Sequence, residues 1–224
     1  LLVKYNRVLS QRNKLLKEIR DNEVNENELI PWDKEFIRLA SQIVQRRLKA
    51  LQKLQGIASS IYASLARSQE ALSIKYELKC NNSELIYPID SYNIDEDFYY
   101  KLLQERNRID ILRGNTGIGP HRDDLVLLLN EMSLKAYGSQ GQQRTGALAL
   151  KLSQLEYVKS EIGEFPVLLL DDVMSELDNN RRTQLLNFID GRVQTFITVN
   201  DRELIPDLQG STYFEISQGK AREA

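Results

Sequence analysis

The first apolar positions along the chain, Leu2, Tyr5, Leu9, Leu16 and Ile19, keep to one helical face, and basic Lys4, Arg7, Arg12, Lys14, Lys17 and Arg20 fill much of the remainder. This predicts an amphipathic helix. The polar stretch from Asp21 to Glu28 reads as a turn or loop. After Pro31 a long helical pattern runs from about Asp33 to Ala71, with Phe36, Leu39, Ile43, Leu48, Leu51, Leu54, Ile61 and Leu65 as core positions and Gly56 as a point of bending or division. Ala71 to Leu78 alternates as a strand, Ile86 to Asn93 is irregular, and Asp95 to Arg113 returns to helical spacing through Phe98, Leu102, Leu103, Ile109 and Leu112. From Asp123 the texture changes to strands Leu125 to Leu129, Val167 to Leu170 and Thr195 to Val199, separated by helices, with a closing strand near Tyr213 to Ile216. Such alternation predicts an α/β fold with a largely parallel sheet, and a boundary near Leu72 divides a helical arm, residues 1–71, from a second domain, residues 72–224.

Composition adds limits. The 224 residues, 42% hydrophobic and 28% charged, suffice for a packed core. No apolar run approaches the roughly 20 residues of a membrane helix, and the start lacks the apolar core of an export signal. A cytoplasmic location is the expectation. One cysteine, Cys80, and one histidine, His121, cannot build a disulfide or a tetrahedral zinc site. The sequence opens without methionine inside a helical pattern, which suggests a truncated chain. The net charge of -2 gives no global sign of nucleic acid binding. Locally, however, no acidic residue occurs between Phe36 and Gln69, while Arg38, Arg46, Arg47, Lys49, Lys53 and Arg67 are all positive. This stretch is read either as a DNA-facing arm, with Arg46, Arg47, Lys49 and Lys53 as contacts, or as a solvated helix face.

Three segments carry candidate chemistry. Pro166 to Leu170 is an apolar strand ending in Asp171 and Asp172. A strand apolar on both faces belongs inside a covered sheet, and ligands gather at the carboxyl ends of such strands. Asp171 suits a magnesium-holding role and Asp172 suits orientation or deprotonation of an attacking water; the plainer reading is a helix cap. Tyr137-Gly138-Ser139-Gln140-Gly141-Gln142-Gln143-Arg144-Thr145 leads into a helix through Leu148, Leu152 and Leu155. Its glycines and helix N-terminus suit anion binding, and equally a tight connection. Ser175-Glu176-Leu177-Asp178 contains a helix N-cap compatible with an interface role.

In this order and spacing the segments resemble the signature, Walker B and D-loop motifs of ABC-type ATPases. Together with Gly119-Pro120-His121-Arg122-Asp123-Asp124, Gly191 to Phe196, and the arm from Tyr5 through Arg12-Asn13 to Trp32-Asp33, they resemble the bacterial RecF recombination-mediator family across nearly the whole chain. The resemblance implies the C-terminal portion of such a protein: a partial ABC-type ATPase head, mostly parallel sheet flanked by helices, with a helical arm. It implies that Ser139, Gln140, Gly141 and Gln142 form the signature loop contacting ATP held by a partner subunit. Asp171 would hold Mg2+ through water and Asp172 would stand at the catalytic carboxylate position. Ser175, Glu176, Leu177 and Asp178 would line a dimer interface.

It further implies slow ATP hydrolysis coupled to dimerisation, binding at gapped or junction DNA, RecR and RecO as partners, and service in replication, recombination, repair and the SOS response. Two departures stand out. The phosphate-loop pattern G-x-x-x-x-G-K-[ST] is absent, and Thr198-Val199-Asn200-Asp201 stands where many ABC ATPases carry a switch histidine. His121 is read either as a structural hydrogen-bonding residue or as a nucleotide or DNA contact. A phosphate-loop strand is expected between Val167 to Leu170 and Thr195 to Val199, so that its loss leaves a gap, unpaired edges and a fragment inactive alone. The competing reading is a non-enzymatic DNA- or protein-interaction module with vestigial motifs. A transporter-type ABC domain is disfavoured by the long basic arm.

Overall fold

The computed structural model describes residues 1–80, 83–88, 94–206 and 210–223, with the side chains of 80 and 83–88 excepted. Cys80 and residues 89–93 of the irregular stretch therefore lie outside the described side chains or residues. The chain divides into two compact units, Leu1–Glu164 and Phe165–Ala224. The expected boundary at residue 72 falls inside the first.

In the first unit α1 (Leu2–Arg20) and α2 (Ile30–Ala66) are joined by a polar turn that ends in a short 3-10 helix, Glu26–Leu29. Pro31 sits in the first turn of α2, where its missing N–H costs nothing. The helix runs unbroken through Gly56 and stops at Arg67, whose left-handed φ of 49° turns the chain out. Residues 72 to 78 then alternate, with Leu72, Ile74, Tyr76 and Leu78 buried. They form strand β1 (Leu72–Cys80), flanked by β2 (Ser83–Pro88), so the first part of the segment read as irregular is a strand. Helix α3 (Glu96–Arg113) is capped by Asp95, which accepts from the Phe98 N–H, and closed by Gly114. After β3 (Asp124–Leu129) and β4 (Met132–Ser133) come the single turn α4 (Leu134–Tyr137) and the long α5 (Gln140–Ile162). The sheet order is β2-β1-β3-β4 and every pairing is antiparallel. This corrects the expected mostly parallel sheet while keeping the α/β class: short connections such as that between β3 and β4 return the chain directly beside itself. Helix α2 packs on both β1 and α5.

A buried ionic network fastens the helices of this unit to one another. Arg12, expected among the basic residues outside the apolar face, is instead fully buried. Its Nε donates to Asp33 at 2.7 Å, and its Nη1 donates to Asp110 at 3.2 Å and to Thr116 at 2.7 Å. Arg106 donates to the other Asp110 oxygen at 3.1 Å, as does the Gly117 N–H at 3.1 Å. A desolvated guanidinium demands such partners. The result ties α1, α2, α3 and the 116–117 turn together.

The second unit holds the parallel pair β5 (Leu168–Asp171) and β6 (Thr195–Thr198), joined through α6 (Asn179–Ile189). The two strands pair directly, from Leu168 opposite Thr195 to Asp171 opposite Thr198, so no place for a further strand lies between them. That corrects the expected gap. The strand is not buried on both faces either: Leu170 is buried, whereas Val167 and Leu169 are 51% and 72% exposed and Phe196 is 58% exposed. The cause is its two-stranded sheet, which has helical cover for one set of alternate side chains. Met174, Leu177, Leu185, Leu186 and Ile189 are buried with Leu170. The closing strand pairs only in a hairpin, β7 (Phe214–Ser217) with β8 (Lys220–Glu223).

Replacing Arg12 with methionine keeps the apolar stem and leaves Asp33 and Asp110 without that cation, so the first unit should lose about 3–5 kcal/mol. Urea denaturation reads this directly; a shift below about 1 kcal/mol would contradict the assignment of the network as the fastening of α1.

Candidate functional site

The turn between α4 and α5 is built by its small residues. A Cβ on Gly138 would stand 2.5 Å from the Leu134 carbonyl oxygen, so only glycine lets the chain fold back there. Ser139 then caps α5, with its Oγ accepting from the Gln142 N–H at 3.2 Å while Gln142 Oε1 accepts from the Ser139 N–H at 2.8 Å. The Gln142 amide is held from the other side as well, because its Nε2 donates to Glu70 at 2.7 Å. Gln143 donates to the Gly138 and Lys135 carbonyls. Ser139 and Gln140 are exposed, and Gly141 and Gln142 are half-buried. The capping bond uses a lone pair of Ser139 and leaves its hydroxyl hydrogen available to an anion in front of the helix.

In the second unit Asp171 and Asp172 stand exposed at the carboxyl ends of β5 and β6. Thr198 Oγ1 donates to Asp171 Oδ1 at 2.6 Å and accepts from the Asp172 N–H at 3.0 Å. Asp172 has the left-handed φ of 52° and precedes a 3-10 turn, Val173–Glu176, without giving it a side-chain cap bond. The cap reading is thus the weaker one for Asp172. Ser175 Oγ donates to the Asp172 carbonyl at 2.8 Å. Downstream, Asp178 caps α6 by accepting from the Arg181 N–H at 2.9 Å and also pairs with the Arg181 guanidinium. Ser175, Glu176 and Asp178 are exposed and Leu177 is buried, so Leu177 anchors the segment that the other three present.

A DNA replication and repair protein RecF from Halothermothrix orenii is 44% identical over 205 residues, covering 90% of the chain and 53% of the relative. One from Halalkalibacterium halodurans is 39% identical, covering 99% of the chain and 59% of the relative. The solved structure of the recombination mediator protein RecF with ATP, of the RecFOR pathway, superposes over 100% of the chain and 57% of that structure, with a TM-score of 0.82 and 36% identity. The chain belongs to the RecF family. It corresponds to the C-terminal part of these proteins and spans a little over half the length of the curated relatives it matches. No protein-family model matches it.

Within this RecF-family chain the basic arm is more engaged than its composition implies. Arg47 Nη1 donates to the Pro120 carbonyl at 2.6 Å and to the Tyr76 hydroxyl at 3.2 Å. Lys53 pairs with Glu161 of α5 and lies over the Tyr157 ring. Arg46 and Lys49 remain exposed. His121 has both ring nitrogens occupied: Nδ1 meets the Tyr5 hydroxyl at 2.6 Å and Nε2 meets the Thr116 carbonyl at 3.2 Å. The carbonyl can only accept, so Nε2 carries the hydrogen and Nδ1 accepts from Tyr5. Partial burial of the ring lowers its pKa and favours this neutral form. The structural reading of His121 therefore has the geometry behind it. Next to it, a Cβ on Gly119, whose φ is +116°, would stand 2.8 Å from both the Phe36 ring and the Tyr5 hydroxyl.

Sequence reasoning assigns no role of their own to Thr198, Glu70 and Asp123. Thr198 enters it only as part of a departure from the switch-histidine pattern, and Glu70 lies 72 positions from its partner Gln142, beyond the reach of any local pattern. Asp123 accepts from the Tyr76 hydroxyl at 2.8 Å, and burial pushes its carboxyl up to about 6. Among the described residues no cluster of three or more His, Cys, Asp or Glu could hold a metal ion. An exposed carboxylate with one oxygen already engaged, like Asp171, fits a Mg2+ ion that takes its remaining ligands from phosphate and water.

Because the folded pKa of Asp123 lies above the ordinary carboxylate value, its contribution to stability is complete below about pH 4 and lost as the pH rises through about 6. Asp123→Asn mimics the protonated form. Its stability relative to the parent chain should rise by about 1–2 kcal/mol between about pH 4.5 and 7.5; a difference in urea midpoints that does not vary with pH would show the carboxyl to be unperturbed.

Proposed function

We propose that this chain is the signature, Walker B and D-loop part of an ATP-dependent DNA repair and recombination mediator. In this reading two such proteins clamp ATP between them, bind gapped or junction DNA, and help load a recombinase with RecR and RecO as partners. The observation that carries it is the exposed Asp171 and Asp172 pair at the carboxyl rim of two parallel strands, where phosphate ligands of α/β sheets bind. A second support is the exposed, side-chain-capped N-terminus of α5, which offers Ser139, Gln140, Gly141 and Gln142 to a phosphate held by the partner subunit.

Asp171 would hold Mg2+, which supplies charge neutralisation for the triphosphate when bound. Asp172 would accept the proton of the attacking water as its oxygen bonds to the γ-phosphorus and ADP departs with the bridging oxygen. The aspartate is shorter than a glutamate by one methylene, which matches slow turnover. Ser139 would donate its free hydroxyl hydrogen to the γ-phosphate across the dimer. The exposed 175–178 segment would line the same interface. ATP then favours the dimer because it contacts both halves only there.

Two experiments on a protein of the relatives' full length test this. Ser139→Arg should leave nucleotide affinity within about threefold while abolishing ATP-dependent dimerisation by light scattering, and Asp172→Asn should lower hydrolysis by about 10²-fold or more. Dimerisation unchanged in the first, or turnover unchanged in the second, refutes the corresponding role. For DNA, Arg46 and Lys49 are exposed members of the four proposed contacts on the basic stretch. Their joint replacement by alanine should weaken binding uniformly across sequences and reduce the slope of log affinity against log salt by about 2; an unchanged slope would remove this face from the DNA path.

A further inference from the structure

We infer that Thr198 is a positioning residue that holds both rim carboxylates through one hydroxyl. The inference rests on the proposed roles of Asp171 and Asp172 and deepens them. Thr198 is the last residue of β6 and the register partner of Asp171 across the parallel pair, so the two side chains project from the same face at the same strand end. A threonine hydroxyl has one hydrogen to give and lone pairs to share. The hydrogen goes to Asp171 Oδ1 at 2.6 Å and a lone pair takes the Asp172 N–H at 3.0 Å.

The two bonds do different things. The first fixes the rotation of the Asp171 carboxylate by holding one oxygen toward the strand and leaving the other oxygen without a hydrogen bond to a described residue. Outer partners of this kind orient the group that meets a metal. The second bond acts on backbone. Asp172 sits at φ 52°, ψ 19°, a left-handed conformation that non-glycine residues adopt uncommonly and aspartate more readily than most. Its N–H is held by Thr198 and its carbonyl by Ser175 at 2.8 Å, so both backbone polar groups are pinned by hydroxyls from two separate downstream segments. The direction of the Asp172 side chain follows from that pinned backbone. A single hydroxyl therefore couples the geometry of the two acids.

Valine is the informative replacement, since it keeps the β-branched shape that suits a strand end and removes only the hydroxyl. In a protein of the relatives' full length, Thr198→Val should raise the MgCl2 concentration that half-saturates the tightening of a fluorescent ATP analogue by about tenfold. It should lower kcat by about 10–100-fold while leaving the analogue's Mg2+-free affinity and the thermal midpoint near those of the parent. Thr198→Ser, which keeps the hydroxyl, should restore both quantities to within about threefold.

Thr198→Val with parental Mg2+ dependence and kcat overturns the inference. So does Thr198→Ser as impaired as Thr198→Val, because packing of the methyl rather than the hydroxyl would then be the cause. If Thr198→Val does not fold, Thr198→Ala paired with Thr198→Ser carries the same comparison. Asp171→Asn run alongside separates the two levels. Its retention of Mg2+-dependent tightening would sink the reading of Asp171 itself, whereas its loss beside an unaffected Thr198→Val sinks only the positioning role of Thr198.

Discussion

A fully buried arginine needs its charge answered on several sides, and much of the first unit is arranged to answer Arg12. Removing a guanidinium from water costs several kcal/mol unless anions and dipoles replace the lost hydration. Asp33 from α2, Asp110 from α3 and the Thr116 hydroxyl do so, and Asp110 is in turn shared with Arg106 and the Gly117 N–H. Each partner of the Arg12 guanidinium comes from a different stretch of chain. Nε and Nη1 meet these partners only when α1, α2, α3 and the 116–117 turn are assembled together, while Nη2 is buried without a hydrogen bond to a described residue.

That assembly reaches the turn before α5 by a short physical route. Helix α2 ends at Arg67, and Glu70 just beyond it accepts from the Gln142 amide at 2.7 Å. Gln142 in turn closes the capping box with Ser139. The side of α2 nearer its C-terminus is also tied to the far end of α5 through Lys53 and Glu161. Helix α5 is thus gripped by the α2 region at both its ends. In the proposed reading, strain placed on the arm by DNA would be felt at the helix N-terminus that receives the partner's nucleotide.

What is legible in the sequence follows from the range of each interaction. The helices, the strand at Leu72, the carboxylate pair and the serine turn are encoded in windows of a few residues, by periodicity, apolar runs and capping residues, and the structure has them close to where the pattern places them. Arg12 escapes such a reading because a basic residue amid Lys4, Arg7 and Lys14 looks like one more member of a solvated face; only partners at positions 33, 110 and 116 distinguish it. Strand direction escapes it because the alternation of β1 and the apolar run of β3 say nothing of how the connections return. The same limit hides Thr198, whose role exists only through its pairing with a residue 27 positions earlier.

The proposed chemistry is split between units of opposite electrostatic character. The α5 N-terminus offers backbone N–H groups and about half a positive charge, while the β5 rim offers two carboxylates that repel a triphosphate. Neither is a sufficient site by itself. Two aspartates can stand beside phosphate only if cations accompany it, and Mg2+ with basic residues from elsewhere in the relatives' longer chain would meet that need. A helix N-terminus presented from a partner adds favourable charge without adding a further carboxylate to the same pocket. The requirement for a second molecule is, in this reading, written into the charge of the rim, and the exposed 175–178 segment beside it is where that molecule would be sensed.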